Sequence, residues 1–559
     1  MNKLPYFSKG RHGGIDFSKD DSSFSNRYFI GFAFFIFIGF VVLGLRLFQL
    51  TVVKGEYYRR LSENNRIREI IIEPKRGEII DRKGFVIAEN IDSDTQEKNG
   101  YIKSKRLYKA SEAIAPLIGY RQLANQQDID SDTCRHHLVP NDKVGKKGVE
   151  KLYDCLLRGI EGKKLIEVDA GGNFLNTLSV ISPTAGQKIQ LALDLELQKK
   201  AFELIKDSRA AVIATIPGTG EILVLASSPS YDPNVFENVE MEKINEYFTD
   251  ENKPLFNRVT EGVYPPGSVF KLVVASAALE EKEISEKTVF EDTGTIKAGP
   301  LSFGNWYFLQ YGKTDGMVDI IKGLKRSNDI FFYKTGGLLG PDKTKKWANV
   351  FGYGQNTGIG FEEASGSIPS PFWKQETLNE QWYLGDTYNL SIGQGYVLVT
   401  PLQVSQATAA IANNGIVCQP QLLKNHRPEC KKLPISAKTI SLIQEGMKEA
   451  CSVGGTGWPL FQFGISQNLS GTSLELAKTS STNYATNSAN FKQIQTACKT
   501  GTAESHEKSK IPHAWFTVYA PAKNPEIALT VLVEEAGQGS DIGGPIAKEL
   551  LKTYFERSQ

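Results

Sequence analysis

Tyr264-Pro265-Pro266-Gly267-Ser268-Val269-Phe270-Lys271 is the stretch from which the rest of the chain can be read. Ser268 and Lys271 are three residues apart, about one helical turn, so hydroxyl and amine share a face. An amine so placed takes the hydroxyl proton without any histidine. It must first be unprotonated, and moving a lysine from about 10.4 to near 7 requires roughly 4–5 kcal/mol. Burial and a second cation supply such a shift. Alone, the pair equally describes a helix start capped by Ser268. The flanks argue for more. Pro265-Pro266 stiffens the approach and Gly267 frees the backbone beside the serine. Val269, Phe270, Leu272, Val273, Val274, Ala275, Ala277, Ala278 and Leu279 then make the following helix apolar nearly all round, the mark of a buried helix. A lysine within a buried helix needs an explanation, and catalysis supplies one.

Two motifs follow in order: Ser327-Asn328-Asp329 before the apolar run Ile330-Phe331-Phe332-Tyr333, and Lys499-Thr500-Gly501-Thr502 at the end of a strand-like segment. Each is common by itself, and Lys-Thr-Gly alone reads as a strand end with an exposed lysine. Together they give every residue a task. Ser268 attacks a carbonyl, Lys271 takes its proton, and Ser327 relays a proton to the departing amine. Lys499 supplies positive charge that holds a substrate carboxylate and helps keep Lys271 neutral. Thr500 and Thr502 line the strand end, and Gly501 lets substrate approach the backbone.

The chain has 559 residues, 40% of them hydrophobic and 23% charged, enough for more than one domain with sizeable cores. A net charge of +2, with no basic run interleaved by aromatics, argues against a nucleic-acid partner. Tyr28 to Leu45 carries no charge and the apolar character continues past Arg46, which is long enough to span a bilayer. A polar tail precedes it and no small-residue cleavage site follows, so it reads as an uncleaved anchor. Basic residues flank both ends, and orientation cannot be taken from them. The six cysteines show no metal-ligand spacing and are too sparse for a disulfide scaffold. Buried free thiols are the expectation, with a Cys418–Cys430 bridge as the alternative. Cys134-Arg135-His136-His137 has no second ligand pair nearby and is not read as a metal site.

Texture divides the rest. Residues 51–185 are polar, mixed and turn-rich, a small β-rich module. Within them Arg76-Gly77-Glu78-Ile79-Ile80-Asp81-Arg82-Lys83-Gly84 reads as a strand and turn with a structural role. From 186 a helix at Leu195 to Ile205 precedes two strands, Ala210 to Ile216 and Glu221 to Ala226, joined by Pro217-Gly218-Thr219-Gly220. Residues 268–460 are mostly helical. Strands return at Gln495 to Thr502, Ala514 to Ala520 and Ile527 to Glu534, and a helix at Pro545 to Glu556 closes the chain. Five antiparallel strands from both ends of the domain, with a helical block between them, make an α+β layered fold.

Together these residues resemble the class B, monofunctional penicillin-binding proteins, in which Ser-x-x-Lys, a Ser-x-Asn-type motif and Lys-Thr-Gly form the site. Arg76 to Gly84 resembles the family's membrane-proximal signature, and Gly148-Val149-Glu150-Lys151-Leu152-Tyr153 its second pedestal motif. Asp194-Leu195-Glu196-Leu197-Gln198, Ser228 to Asn234, Asn257-Arg258, Ser391-Ile392-Gly393-Gln394-Gly395 with Thr400 to Gln403, and Trp515-Phe516 extend the likeness over nearly everything after the tail. The resemblance implies a cytoplasmic tail (1–27), a transmembrane anchor (28–50), a dimerisation-like pedestal (51–185) and a serine β-lactamase-like transpeptidase domain (186–559).

By that resemblance Ser268 attacks D-Ala-D-Ala of a peptidoglycan stem peptide, releases D-Ala, and passes the acyl group to an amine of a neighbouring stem. The N–H groups of Ser268 and Thr502 would form the oxyanion hole. β-Lactams would be covalent inhibitors, no metal or organic cofactor is implied, and a SEDS-type glycan polymerase would be the partner. The catalytic domain would lie outside the cytoplasmic (inner) membrane. Asp329, where many relatives carry asparagine, resembles the elongation-type members and points to cell shape, although a carboxylate there opposes a neutral Lys271. The pedestal is short for the family. A division-type transpeptidase, a D,D-carboxypeptidase, and a β-lactam sensor or wall-synthesis scaffold are the alternatives. A class A β-lactamase is disfavoured because Gln375 stands where its Glu-x-x-Leu-Asn spacing needs glutamate.

Overall fold

Strands Ala210–Thr215 and Ile222–Ser228 are apolar runs with little polar alternation, and every residue in both is buried. Such runs suit strands covered on both faces. They pair antiparallel, with Ala210 opposite Ser228. Three strands from the end of the chain complete the sheet. Its order is Ile222–Ser228, Ala210–Thr215, Ile527–Val533, His513–Ala520, Ala497–Ala503, antiparallel throughout. The α+β expectation of a five-stranded sheet drawn from both ends of the domain holds. In this computed structural model the described residues are 26–92, 104–135, 137–169, 171–466, 491–505 and 511–557. The expected tail, 1–27, lies outside them except for Asn26 and Arg27.

Alternate strand residues serve two different cores, because successive side chains point to opposite faces. Ala211, Ile213, Trp515, Tyr519 and Leu532 enter a core shared with Val269, Phe270 and Leu272 of the inserted helical block. Val212, Phe516, Val518 and Val531 enter a second core. That core is closed by Leu197 and Ala201 of helix Leu195–Ile205 and by Leu550 and Leu551 of the terminal helix Gly543–Arg557. In the edge strand the same alternation puts Ala497, Lys499, Gly501 and Ala503 toward the block that carries Ser268.

The described chain packs as two compact units, one formed by residues up to Ile71 with Lys163–Ile181, the other by Ile72–Gly162 with everything from Ser182. In the first, helix Asn26–Phe48 continues into a wider turn, Gln49–Val53, and none of its side chains is buried. Helix and turn together, 28 residues, span about 42 Å at 1.5 Å each, more than the roughly 30 Å of a bilayer's hydrocarbon. Helix Gly55–Arg66 follows, and a three-stranded sheet ordered Ile67–Ile72, Gly162–Val168, Phe174–Ile181.

In the second unit a four-stranded sheet, ordered Ser104–Tyr108, Val86–Asp92, Ile79–Ile80, Ile189–Gln190, holds the Arg76 to Gly84 stretch. The turn after Ile80 is closed by Asp81, whose Oδ1 accepts the N–H groups of Lys83 and Phe85, both at 2.8 Å, with Gly84 at φ +92°. Arg76 itself is buried. It donates to Glu150 at 2.6 Å and Asp154 at 2.7 Å, and Arg106 reaches the other Glu150 oxygen at 2.9 Å. Burial alone would raise the Glu150 carboxyl, but Arg106 and Arg76 overturn that and hold it down at about 2. Both family-like motifs of the pedestal thus meet in one buried ion cluster.

The free-thiol expectation is corrected: all six cysteines pair, as Cys134–Cys155, Cys418–Cys430 and Cys451–Cys498. Tertiary contacts make these pairs. Cys418 and Cys430 face each other across a two-stranded ladder, and Cys498 of the edge strand meets Cys451 at the end of helix Ala437–Ala450. Cys134, Cys155 and Asp132 lie close together, but with both sulfurs in a disulfide no thiolate is left to ligate a metal. His136 of the neighbouring motif is outside the described residues.

Candidate active site

Gly267 sets the nucleophile. It adopts φ +56°, and a Cβ there would stand 2.7 Å from the Thr502 carbonyl oxygen, so the turn packs against the strand end only because the residue is glycine. Its N–H donates to the Gly393 carbonyl at 2.8 Å, and Trp515 Nε1 donates to the Pro265 carbonyl at 2.9 Å. Residues Gly267–Phe270 form a 3₁₀ turn, and the α-helix begins at Lys271, running to Glu280. Ser268 and Lys271 therefore sit in a tighter geometry than the expected α-helix, one in which i and i+3 are eclipsed.

Lys271 is fully buried, and its Nζ donates to Asp329 Oδ1 at 2.6 Å and the Ser327 carbonyl at 2.8 Å, with Ser327 Oγ at 3.4 Å. The Phe332 ring lies 5.3 Å from the ammonium. Lys499, also fully buried, donates to Ser327 Oγ at 2.8 Å and to the Thr500 carbonyl at 2.9 Å. Ser327 is thus held between the two amines. Its backbone has φ +53°, unusual for a residue with a side chain. Ser268 is half-buried and makes no side-chain hydrogen bond among the described residues.

Asn328 caps helix Asp329–Leu339 through the Phe331 N–H at 2.9 Å, which puts the Asp329 carboxylate in the first turn, where the helix dipole favours negative charge. The other Asp329 oxygen accepts the Trp306 N–H at 2.9 Å, and the Asp329 N–H donates to Asn305 Oδ1 at 3.1 Å. Asn328 Nδ2 is anchored to Asp292 at 2.8 Å. On the edge strand, Thr500 Oγ1 donates to Thr456 Oγ1 at 2.8 Å, and the Thr502 carbonyl accepts from Gln394 at 3.3 Å. Gln375 is exposed and bonds Asn379 at 3.0 Å.

The electrostatics differ from the expectation in one respect. Burial pushes the Lys271 amine below its ordinary value, and Asp329 pulls it part of the way back. Burial pushes Lys499 well below its ordinary value, the Lys271 charge adds to this, and Asp329 opposes it. Two buried amines share one carboxylate, and Asp329 offsets burial more for Lys271, which is bonded to it, than for Lys499. This direction runs against a fixed positive charge on Lys499. Sequence reasoning missed Asn305, Trp306, Asp292 and Thr456, which reach the motifs only by folding. Gly393 and Gln394 lay inside the Ser391 to Gly395 match, without a role assigned.

The profile of the penicillin binding protein transpeptidase domain matches residues 210–552, and that of the penicillin-binding protein dimerisation domain matches residues 99–191. The chain belongs to this transpeptidase family. It is 29% identical, over an alignment 619 positions long that covers 94% of each chain, to a protein of Escherichia coli named peptidoglycan D,D-transpeptidase MrdA. It is similar to the crystal structure of Pseudomonas aeruginosa PBP2 in complex with WCK 5153 (30% identity, TM-score 0.69, 87% of this chain and 96% of that one). A chain of a peptidoglycan synthase complex that coordinates polymerization and crosslinking is also similar (26% identity, TM-score 0.72, 94% and 98%). The family resemblance read from the motifs is borne out across both domains.

Proposed function

We propose that this chain is a peptidoglycan D,D-transpeptidase that crosslinks stem peptides through a Ser268 acyl-enzyme, in wall elongation and the maintenance of cell shape. The observation that carries this is the convergence of Lys271, Ser327, Asp329 and Lys499, one turn on from Ser268 and beside strand Ala497–Ala503, in a chain of this family.

Ser268 Oγ attacks the penultimate D-Ala carbonyl and Lys271 takes its proton. The N–H groups of Ser268 and Thr502 hold the oxyanion, at about 3–4 kcal/mol per donor. Collapse expels D-Ala, whose nitrogen receives a proton through Ser327. Lys499, Thr500, Gly501 and Thr502 receive the terminal carboxylate, whose charge draws a proton onto Lys499. β-Lactams acylate Ser268 by the same route.

In this proposal the pedestal spans 51–185 and the transpeptidase domain 186–559. The apolar N-terminal helix is read as an anchor in the inner membrane, with the N-terminus in the cytoplasm and the catalytic domain outside. The three disulfides support that side, since they persist in oxidising compartments. A SEDS-type glycan polymerase is the proposed partner. Support comes from the likeness to the synthase complex and from the edge strand Phe174–Ile181, which exposes Phe174, Leu175, Leu178, Val180 and Ile181.

The test is labelling with a fluorescent penicillin, wild type against Ser268→Ala. Stable labelling of wild type and none of the variant is expected; labelling of the variant, or rapid loss from wild type, would sink the assignment.

A further inference from the structure

A cavity of about 240 Å³ opens between Trp382, Asp386, Asn389, Gln394, Gly395 and Tyr396. Its wall is bonded to the reaction site on two sides. Gln394 Nε2 donates to the Thr502 carbonyl at 3.3 Å and its Oε1 accepts the Glu504 N–H at 3.2 Å. The neighbouring Gly393 carbonyl accepts the N–H of Gly267, the residue before the nucleophile, at 2.8 Å.

The lining is built for a ligand with both an aliphatic part and a charged end. Trp382 is fixed by its Nε1 donating to Thr387 Oγ1 at 2.8 Å, and the Tyr396 ring packs 5.4 Å from that of Trp373. Asn389 lines the space with a carboxamide that makes no hydrogen bond among the described residues. Both bonds to the Asp386 carboxylate, from Lys374 Nζ at 2.9 Å and the Tyr383 N–H at 2.8 Å, fall on Oδ2. Lys374 also faces Glu380 at 3.4 Å, so one ammonium stands against two carboxylates and the cluster carries one net negative charge. That charge attracts a cation. The volume is below the about 300–1,000 Å³ of pockets that enclose a whole drug-sized ligand, and suits a single side chain.

We propose that this cavity is the acceptor subsite, holding the amine-bearing side chain of the second stem peptide. The proposal rests on the transpeptidase reading above. The acceptor arrives as an ammonium, is drawn by the Lys374–Asp386–Glu380 cluster, and gives one proton to solvent. Its nitrogen lone pair attacks the acyl carbon, the C–N bond forms, and the bond from that carbon to Ser268 Oγ breaks. The remaining surplus proton passes from nitrogen to Oγ and restores the hydroxyl. Trp382 and Tyr396 flank the aliphatic stem, and the Asn389 carboxamide pairs with a peptide amide.

The experiment uses the full-length protein, a D-alanyl thioester donor, and as acceptor a synthetic stem tetrapeptide with a free side-chain amine or its N-acetylated form. Mass spectrometry measures the ratio of amide product to hydrolysed donor, and fluorescent penicillin separately reports acyl-enzyme formation. Asn389→Ala, which removes a polar group from the cavity wall, and Glu380→Gln, which removes the surplus negative charge of the cluster beside it, are each expected to lower the ratio about tenfold for the free amine. An unchanged ratio in variants that still label overturns the subsite, whereas failure of wild type to label overturns the transpeptidase reading instead. Glu380 is exposed, so if Asn389→Ala does not fold, the Glu380→Gln ratio decides alone.

Discussion

Replacing Asp329 by asparagine removes the one carboxylate bonded to Lys271 among the described residues, across a 2.6 Å contact in which the amine is fully buried. Taking one partner from a buried pair typically costs about 3–5 kcal/mol. Here that cost falls on the ammonium form alone, because a neutral Lys271 has no charge to leave stranded. The amine escapes by releasing its proton, so most of the cost appears as a further lowering of Lys271 rather than as unfolding. Each unit of lowering corresponds to about 1.4 kcal/mol and a tenfold larger neutral fraction below the midpoint. The N–H of Trp306 keeps an acceptor in the amide oxygen, so the loop is retained. The assay is the second-order rate of penicillin acylation between about pH 5 and 9, where a base that must lose a proton gives a rising limb. In Asp329→Asn the limb should move toward lower pH, with acylation in acid faster relative to the plateau than in wild type. The sign for stability follows by linkage. Lys271 binds fewer protons folded than unfolded, so its penalty is present at neutral pH and relieved as pH rises toward the unfolded value. The variant should be less stable near neutrality than wild type, with the difference closing in alkali. A limb that stays in place, or moves to higher pH, refutes the account of how Lys271 is tuned.

Gly267→Ala places a Cβ 2.7 Å from the Thr502 carbonyl oxygen at φ +56°. Moving the nucleophile by about 1 Å is worth up to about 100-fold in rate, so acylation should fall far more than the melting temperature does. Glu150→Gln should destabilise by about 3 kcal/mol at neutral pH, from the difference between the ordinary carboxyl value of 4.5 and about 2 in the buried cluster. Because that value is depressed, wild-type stability from Glu150 is present above the ordinary value and is lost as pH falls toward about 2; the variant should lack this segment in an acid-denaturation series. The three disulfides predict no maleimide-reactive cysteine among the six without reductant, and loss of Cys451–Cys498 by double alanine substitution should cost about 2–5 kcal/mol in denaturant titrations.

Much of the site was legible because the reacting groups sit in short motifs. The sheet was legible because strands such as Ala210–Thr215 and Ile527–Val533 are apolar on both faces, which only a doubly covered sheet explains. The disulfides were not, since Cys451 and Cys498 are 47 residues apart and meet only when the edge strand docks beside a helix. Asn305 and Trp306 lie outside any motif, and their contacts with Asp329 arise from the packing of one loop.

What the sequence by itself determined is the inventory: a serine with a lysine one turn on, a second serine, a second lysine, and the apolar segments that bury them. Local patterns carry that information because periodicity and turn chemistry act over a few residues. What only the tertiary structure decided is the charge on that inventory. Lys271 bonds Asp329 and Lys499 bonds Ser327 across segments far apart in the chain, and both amines lie in full burial. A lysine's proton affinity depends on the solvent it loses and the charges it meets within a few ångströms, and neither exists until the helical block closes on the edge of the sheet.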